Sequence, residues 1–113
     1  MAVEQSAKLL SGVEATGAGT ATVLHQALRN HSLHATFTNS GGSVTALTVT
    51  LEGSLLGNNW ITLGTIEFAA ADLSNEGAMV AVANVPVKHV RANVTTLTET
   101  GTTAVSAQYL GVE

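Results

Sequence analysis

The sequence predicts an all-β protein, an antiparallel β-sandwich with an Ig-like or jelly-roll-like arrangement of about seven or eight strands. Threonine (16), valine (13) and isoleucine (2) account for 31 of the 113 residues, and these β-branched side chains pack well on a pleated surface. Short runs of alternating apolar and polar residues are separated by turn residues, including many of the 11 glycines, at the spacing typical of a sandwich. No amphipathic helical pattern of about 12 residues interrupts these runs.

The first half of the domain is predicted to form three strands, over residues 20–28, 32–38 and 44–52. The strongest alternation is in the third run, where leucine and valine alternate with threonine and glutamate. A slip of one residue there would bury the threonines and expose the leucines, so the register is well specified. Residues 39–42, Asn-Ser-Gly-Gly, form a turn between the second and third strands.

The second half is predicted to form four strands, over residues 60–64, 78–85, 87–94 and 104–110. The first of these pairs back on the preceding strand as a hairpin through a Gly-Asn-Asn turn. Pro86 separates the second and third strands, because proline lacks the N–H group that a ladder needs. We expect an irregular stretch over residues 66–77 and a polar turn over residues 97–103. The predicted core residues are Phe37, Leu47, Val49, Leu51, Trp60, Val90 and Tyr109.

The N-terminal segment is predicted to be an arm over residues 1–19, followed by the sandwich over residues 20–113. Its one apolar cluster is Lys8-Leu9-Leu10, and a small, Gly/Ala/Thr-rich stretch follows it. A frayed terminus and an arm docked on its own domain or on a neighbouring chain are both open. The arm residues that we expect to contact a partner are Lys8, Leu9, Leu10 and Val13.

The composition excludes several classes of function. Only 12 side chains are charged, 11% of the chain, where an ordinary domain has about 25%. A net charge of −4 argues against a nucleic-acid partner, which needs clustered Lys and Arg. The absence of cysteine excludes disulfides and thiolate zinc sites. No run is long and apolar enough for a membrane span or a secretory signal, so we expect synthesis in the cytoplasm and no membrane partner.

The residues that carry most enzyme chemistry form no recognisable motif. His31 and His34 are three apart and would point to opposite faces of a strand, so a metal clamp is not predicted. No serine lies in a G-x-S-x-G elbow. Carboxylates are available for sugar hydrolysis, but the four aromatic residues are too few to line a cleft and fill a core. We therefore expect a protein that is not an enzyme and has no cofactor and no metal site.

Residues 49–64 read VTLEGSLLGNNWITLG and residues 85–95 read VPVKHVRANVT. The first segment resembles a hairpin, and the second a strand, of small β-sandwich virion proteins of tailed bacteriophages, namely capsid decoration (cement) proteins, head-fibre proteins and tail-associated modules. Within these segments, the bulky Trp60 is expected to plug the core. Glu52 is expected to meet Arg91 or Lys88 across strands, as an exposed pair of small energetic value.

The resemblance implies a structural role in the virion. A decoration protein on the capsid exterior, with the major capsid protein as its partner, agrees with the low charge and the arm, because lattice binding needs broad uncharged surface. A homo-oligomer is implied, with a trimer favoured over a dimer. A tail or other head component, or a carbohydrate-binding adhesin, remains the alternative.

Overall fold

Two antiparallel sheets packed face to face make up the fold in the computed structural model, which describes residues 3–113. The predicted β-sandwich is therefore confirmed, with nine strands in this range rather than seven or eight. The elements in chain order are β1 (Glu4–Val13), β2 (Gly17–Ala18), β3 (Thr22–Leu28), β4 (Asn30–Ser40), β5 (Val44–Ser54), β6 (Ile61–Glu67), α1 (Ala70–Asn75), β7 (Gly77–Val82), β8 (Val87–Glu99) and β9 (Thr102–Val112).

The first and last strands of the chain are neighbours in one sheet. One sheet has the order β1-β9-β4-β7, and the other has the order β2-β8-β5-β6, with β3 also paired to β8. The pairing of β4 with β9 runs without a register shift from Asn30↔Val112 to Ser40↔Thr102. The pairing of β5 with β8 places Leu51 opposite Ala92 and Glu52 opposite Arg91. These long central ladders fix which side chains face inward.

The core lies between the inner faces of the two sheets and follows the period-2 pattern of the strands. Phe37 and Phe68 meet edge to face with their ring centroids 5.8 Å apart, a preferred arrangement of aromatic rings. Of the residues predicted for the core, six are buried there, namely Phe37, Leu47, Val49, Leu51, Val90 and Tyr109.

Residues 4–13 of the predicted N-terminal arm are docked on the protein's own domain as strand β1, one of the arrangements that the sequence left open. Strand β1 pairs with β9 from Glu4↔Val112 to Val13↔Val105, with register shifts on both sides of Leu10. This irregularity allows Leu9 and Leu10 to be buried in succession, 3% and 2% exposed, where a regular strand would expose one of them. Their side chains belong to the core of the protein itself and are not free to bind a partner.

A side-chain contact joins the two sheets where β1 runs beside β3. The Gln5 side-chain amide donates from Nε2 to the carbonyl oxygen of Val23 at 3.3 Å. Its Oε1 accepts from the backbone N–H of His25 at 2.8 Å. The amide thus satisfies two backbone groups of β3 that no strand pairs with on that side.

Two predicted irregular stretches contain regular structure. Strand β6 continues to Glu67 and is followed by the six-residue helix α1, in place of an irregular segment over residues 66–77. Strand β8 continues to Glu99, so the predicted polar turn over residues 97–103 is reduced to the Thr100-Gly101 connection. Threonine-rich runs of this kind pair as strands because their stiff side chains suit a pleated sheet.

Candidate interaction surface

The connection between β5 and β6 presents large apolar side chains to solvent at one end of the sandwich. Leu55 is 63% exposed, Leu56 75% and Ile61 56%. Single exposed leucines are common on protein surfaces, but a contiguous group is typical of an interaction site. We call the end of the sandwich that carries this connection, together with the β3–β4 and β7–β8 connections, the hairpin end.

The loop that carries these leucines is held in one conformation by a buried serine. The Ser54 hydroxyl donates to the carbonyl oxygen of Asn58 at 2.5 Å. Its oxygen accepts from the backbone N–H groups of Leu56 and Gly57, each at 3.1 Å. Because Ser54 is only 5% exposed, water competes little for these bonds. The apolar tip is therefore built in advance of any contact.

A groove runs beside the exposed leucines. It has a volume of about 390 Å³ and is lined on one side by the β5–β6 loop and on the other by Val85, Pro86 and Val87. The backbone N–H of Val85 donates to the carbonyl oxygen of Arg29 at 2.9 Å, which ties this wall to the β3–β4 connection. The hairpin end thus combines a projecting apolar pair with a mainly apolar depression.

Trp60 lies on the outer face of β8, outside the core cluster, which corrects the prediction that it plugs the core. The Arg91 guanidinium carbon lies 4.5 Å from the centroid of the Trp60 ring, within the range of a cation–π interaction. Arg91 Nε is 2.6 Å from Glu52 Oε1, so the predicted cross-strand pair forms with Arg91, but its side chains are half-buried and not exposed as expected. Asn93 Nδ2 donates to the other carboxylate oxygen at 3.2 Å.

The β5–β6 loop folds back across this outer face. His89 meets Trp60 edge to face at 6.5 Å between ring centroids. Gly57 has a φ of +87°, and a Cβ at that position would lie 3.3 Å from the His89 ring. A side chain at residue 57 would therefore suffer both backbone strain and crowding. Glycine allows the loop to lie against the His89 ring, and this path places Leu55 and Leu56 at the tip of the loop.

Charge is segregated along the long axis of the molecule, which extends over 44 Å. The strand register places all four basic residues in the half toward the hairpin end, with three acidic residues. The opposite half has five acidic residues and no basic one. The basic residues are Lys8, Arg29, Lys88 and Arg91, and the five acidic residues are Glu14, Glu67, Asp72, Glu76 and Glu99. The molecule therefore has an apolar, weakly basic end and an acidic end.

The remaining residues proposed for function do not come together into a site. Lys8 is exposed and Val13 is half-buried against the core, on the edge strand β1. The structure shows no group of three or more histidine, cysteine or acidic side chains placed to hold a metal ion among residues 3–113. In the same range, no helix is long and apolar enough to cross a membrane.

One histidine has a structural role inside the sandwich. His31 is 2% exposed, and its Nε2–H donates to the carbonyl oxygen of Val85 at 2.8 Å. Its Nδ1 is therefore left to accept from the Tyr109 hydroxyl, 2.6 Å away. Burial raises the pKa of Tyr109 well above its ordinary value. The chain of hydrogen bonds anchors the β7–β8 connection, and hence one wall of the groove, to the core.

The exposed leucines are candidate interaction residues that were not predicted from the sequence. Leu55 and Leu56 stand between serine and glycine within a segment of turn residues. An apolar pair flanked by turn residues indicates exposure, because loops run over the surface. The sequence therefore contained a signal for the exposed leucines. It contained none for the groove beside them, because one wall of the groove is formed by the distant segment Val85–Val87.

No protein-family model matches this chain, and no curated protein matches it in sequence. Several solved structures share its fold. SPBc2 prophage-derived protein YomS is 12% identical with a TM-score of 0.52, covering 100% of this chain and 96% of YomS. The PBSX exported protein XepA is 13% identical with a TM-score of 0.64, covering 99% of this chain and 38% of XepA.

The same fold occurs in the infectious bursal disease virus VP2 subviral particle, at 9% identity and a TM-score of 0.60. That match covers 98% of this chain and 32% of the VP2 chain. The chain thus corresponds to nearly all of YomS, to 38% of XepA and to about a third of VP2. At these identities, the similarity establishes a common sandwich architecture.

Proposed function

We propose that this chain is a non-enzymatic structural protein of a phage virion, and specifically a capsid decoration protein that binds the outer surface of the major capsid protein lattice and stabilises the head. The observation that carries the proposal is the chemical difference between the two ends of the molecule. An apolar, weakly basic end faces one way and an acidic end faces the other. A protein that covers a lattice needs this asymmetry, because each copy must attach in the same orientation.

The fold supports this proposal. A sandwich of this architecture makes up nearly all of a prophage-derived protein and about a third of a protein described in a viral particle. Low charge supports it as well, since uncharged threonine and serine are desolvated at smaller cost than ionised groups when their hydrogen bonds are met. The proposal includes a virion location on the capsid exterior and the trimer implied by the sequence resemblance.

The test uses capsids from a phage that encodes this chain, prepared from a strain in which its gene is deleted. Purified protein is added in increasing amounts, and the bound copies are counted by electron cryomicroscopy and gel densitometry. We expect saturation at a simple ratio to the major capsid protein and a higher temperature of capsid disruption. If the protein does not bind capsids saturably, or if it is recovered only with phage tails, the proposal is overturned.

The oligomeric state is measured separately by light scattering of the purified protein after size-exclusion chromatography. The trimer has three times the mass of the 11.5 kDa chain. A dimer or monomer at concentrations that saturate capsids would contradict the trimer, while leaving the decoration role intact.

A further inference from the structure

We propose that the hairpin end is the docking surface and that its partner is a protein surface with an apolar pocket, an apolar knob and flanking carboxylates. Leu55 and Leu56 enter the partner's pocket, and the partner's knob enters the groove beside Pro86. This inference rests on the proposed function and deepens it, because it names the surface that meets the capsid protein and the chemistry of the receiving site.

The rigidity of the loop is the first argument. Three hydrogen bonds to Ser54 Oγ define the path of residues 54–58, and Gly57 packs over His89. Association loses affinity for every loop that must become ordered. A preformed apolar tip avoids most of that cost, so a small contact suffices for each copy. In the proposed trimer three such contacts are linked, and the linkage adds avidity.

Shape favours a protein over a lipid surface. The groove of about 390 Å³ between the β5–β6 loop and Val85–Val87 is concave, and a bilayer has no side chain to fill it. A membrane contact gains from the projecting leucines alone. A projection with a depression at its side is instead the complement of another folded surface.

Charge disfavours a second copy of this chain as the occupant. A two-fold contact through the hairpin end would bring together two halves that each carry four basic and three acidic residues, and like net charges in an interface are costly. Carboxylates on a different protein would instead attract this end and repel the acidic end.

The experiment compares variants in binding to the capsids described above. Leu55→Ser combined with Leu56→Ser removes the projection. The matched control is Met79→Ser, since Met79 is 65% exposed on the outer face of the other sheet. Arg29→Glu tests the charge, with Thr96→Glu, at an exposed residue of β8 in the opposite half, as its control. Circular dichroism and thermal unfolding establish that each variant is folded.

We expect the double leucine variant to bind about 100-fold more weakly or worse, because it loses the burial of two leucine side chains in the partner's pocket. Arg29→Glu is expected to weaken binding about 5- to 10-fold, with less effect at high salt. Both controls should bind like the unmodified protein. Unchanged binding of the leucine variant, or a greater loss in Met79→Ser, overturns the docking surface but not the decoration role.

A groove variant separates protein from lipid. Asn58→Trp places a large side chain at the groove and leaves the Asn58 carbonyl bond to Ser54 in place. It should weaken capsid binding, whereas it would strengthen insertion into vesicles of phosphatidylcholine with 30% phosphatidylglycerol. Vesicle binding that this variant strengthens, or a dimer that the leucine variant abolishes, would refute the proposed partner. Failure of the unmodified protein to bind capsids refutes the decoration role itself.

Discussion

Tyr109 makes the stability of this protein depend on pH in the alkaline range. The phenol is fully buried, and its hydroxyl donates to His31 Nδ1 at 2.6 Å. Burial raises the pKa of Tyr109 above its ordinary value of about 10. At pH values above the ordinary pKa and below the raised pKa of the folded state, the phenol is ionised in the unfolded chain and neutral in the folded protein. Raising the pH in that interval therefore favours unfolding.

The magnitude follows from linkage. A neutral phenol in the folded state and a pKa of about 10 in the unfolded state give a full slope of about 1.4 kcal/mol per pH unit. The contribution is fully present below pH 10, and about 1 kcal/mol is lost between pH 10 and pH 11. For a domain of this size, a loss of 1 kcal/mol lowers the melting temperature by about 4–8 °C.

The assay exploits the single tyrosine and the single tryptophan of the chain. Urea unfolding is followed by Trp60 fluorescence at pH 8, 10 and 11, and phenol ionisation by absorbance near 295 nm. The control is Tyr109→Phe, which lacks the phenol and so reports any pH dependence that does not come from Tyr109. If the folded protein ionises its phenol near pH 10 without unfolding, or if Tyr109→Phe loses as much stability, the reasoning is refuted.

Two further substitutions test the packing described above. Gly111→Ala places a methyl group against the Tyr109 hydroxyl, and we expect a loss of about 1–3 kcal/mol in urea unfolding; equal stability would show that the ring moves freely. Ser54→Ala removes three hydrogen bonds within the β5–β6 loop, and we expect faster amide exchange at residues 56 and 57 with a global loss of only about 1–2 kcal/mol. Unchanged exchange at those amides would contradict the role of Ser54.

The inward-facing side chains of the regular strands were predictable, because the alternation of apolar and polar residues allows only one register. Leu47, Val49 and Leu51 alternate with polar residues, and a slip by one residue would expose all three. The sequence left two partners for Glu52 open, Arg91 and Lys88. The pairing of β5 with β8 selects Arg91, which lies opposite Glu52. Local periodicity was sufficient wherever a strand was regular.

Irregular geometry limited the rest of the prediction. The consecutive burial of Leu9 and Leu10 depends on register shifts in β1, which alternation does not reveal. The outward position of Trp60 follows from a loop that folds back over His89, a residue 29 positions later in the chain. The groove likewise needs two segments far apart in sequence. Each of these features is a tertiary contact and has no local signal.

The Gln5 amide has a consequence for the way in which copies of this chain meet at high concentration. A strand with free N–H and C=O groups is a template on which another chain can add, and repetition of that step gives aggregates. Gln5 occupies the carbonyl of Val23 and the N–H of His25, which are the two groups that an incoming strand would need at this position. The side chain thus closes part of a sheet edge, so that copies crowded together have one fewer place at which to join through their backbones.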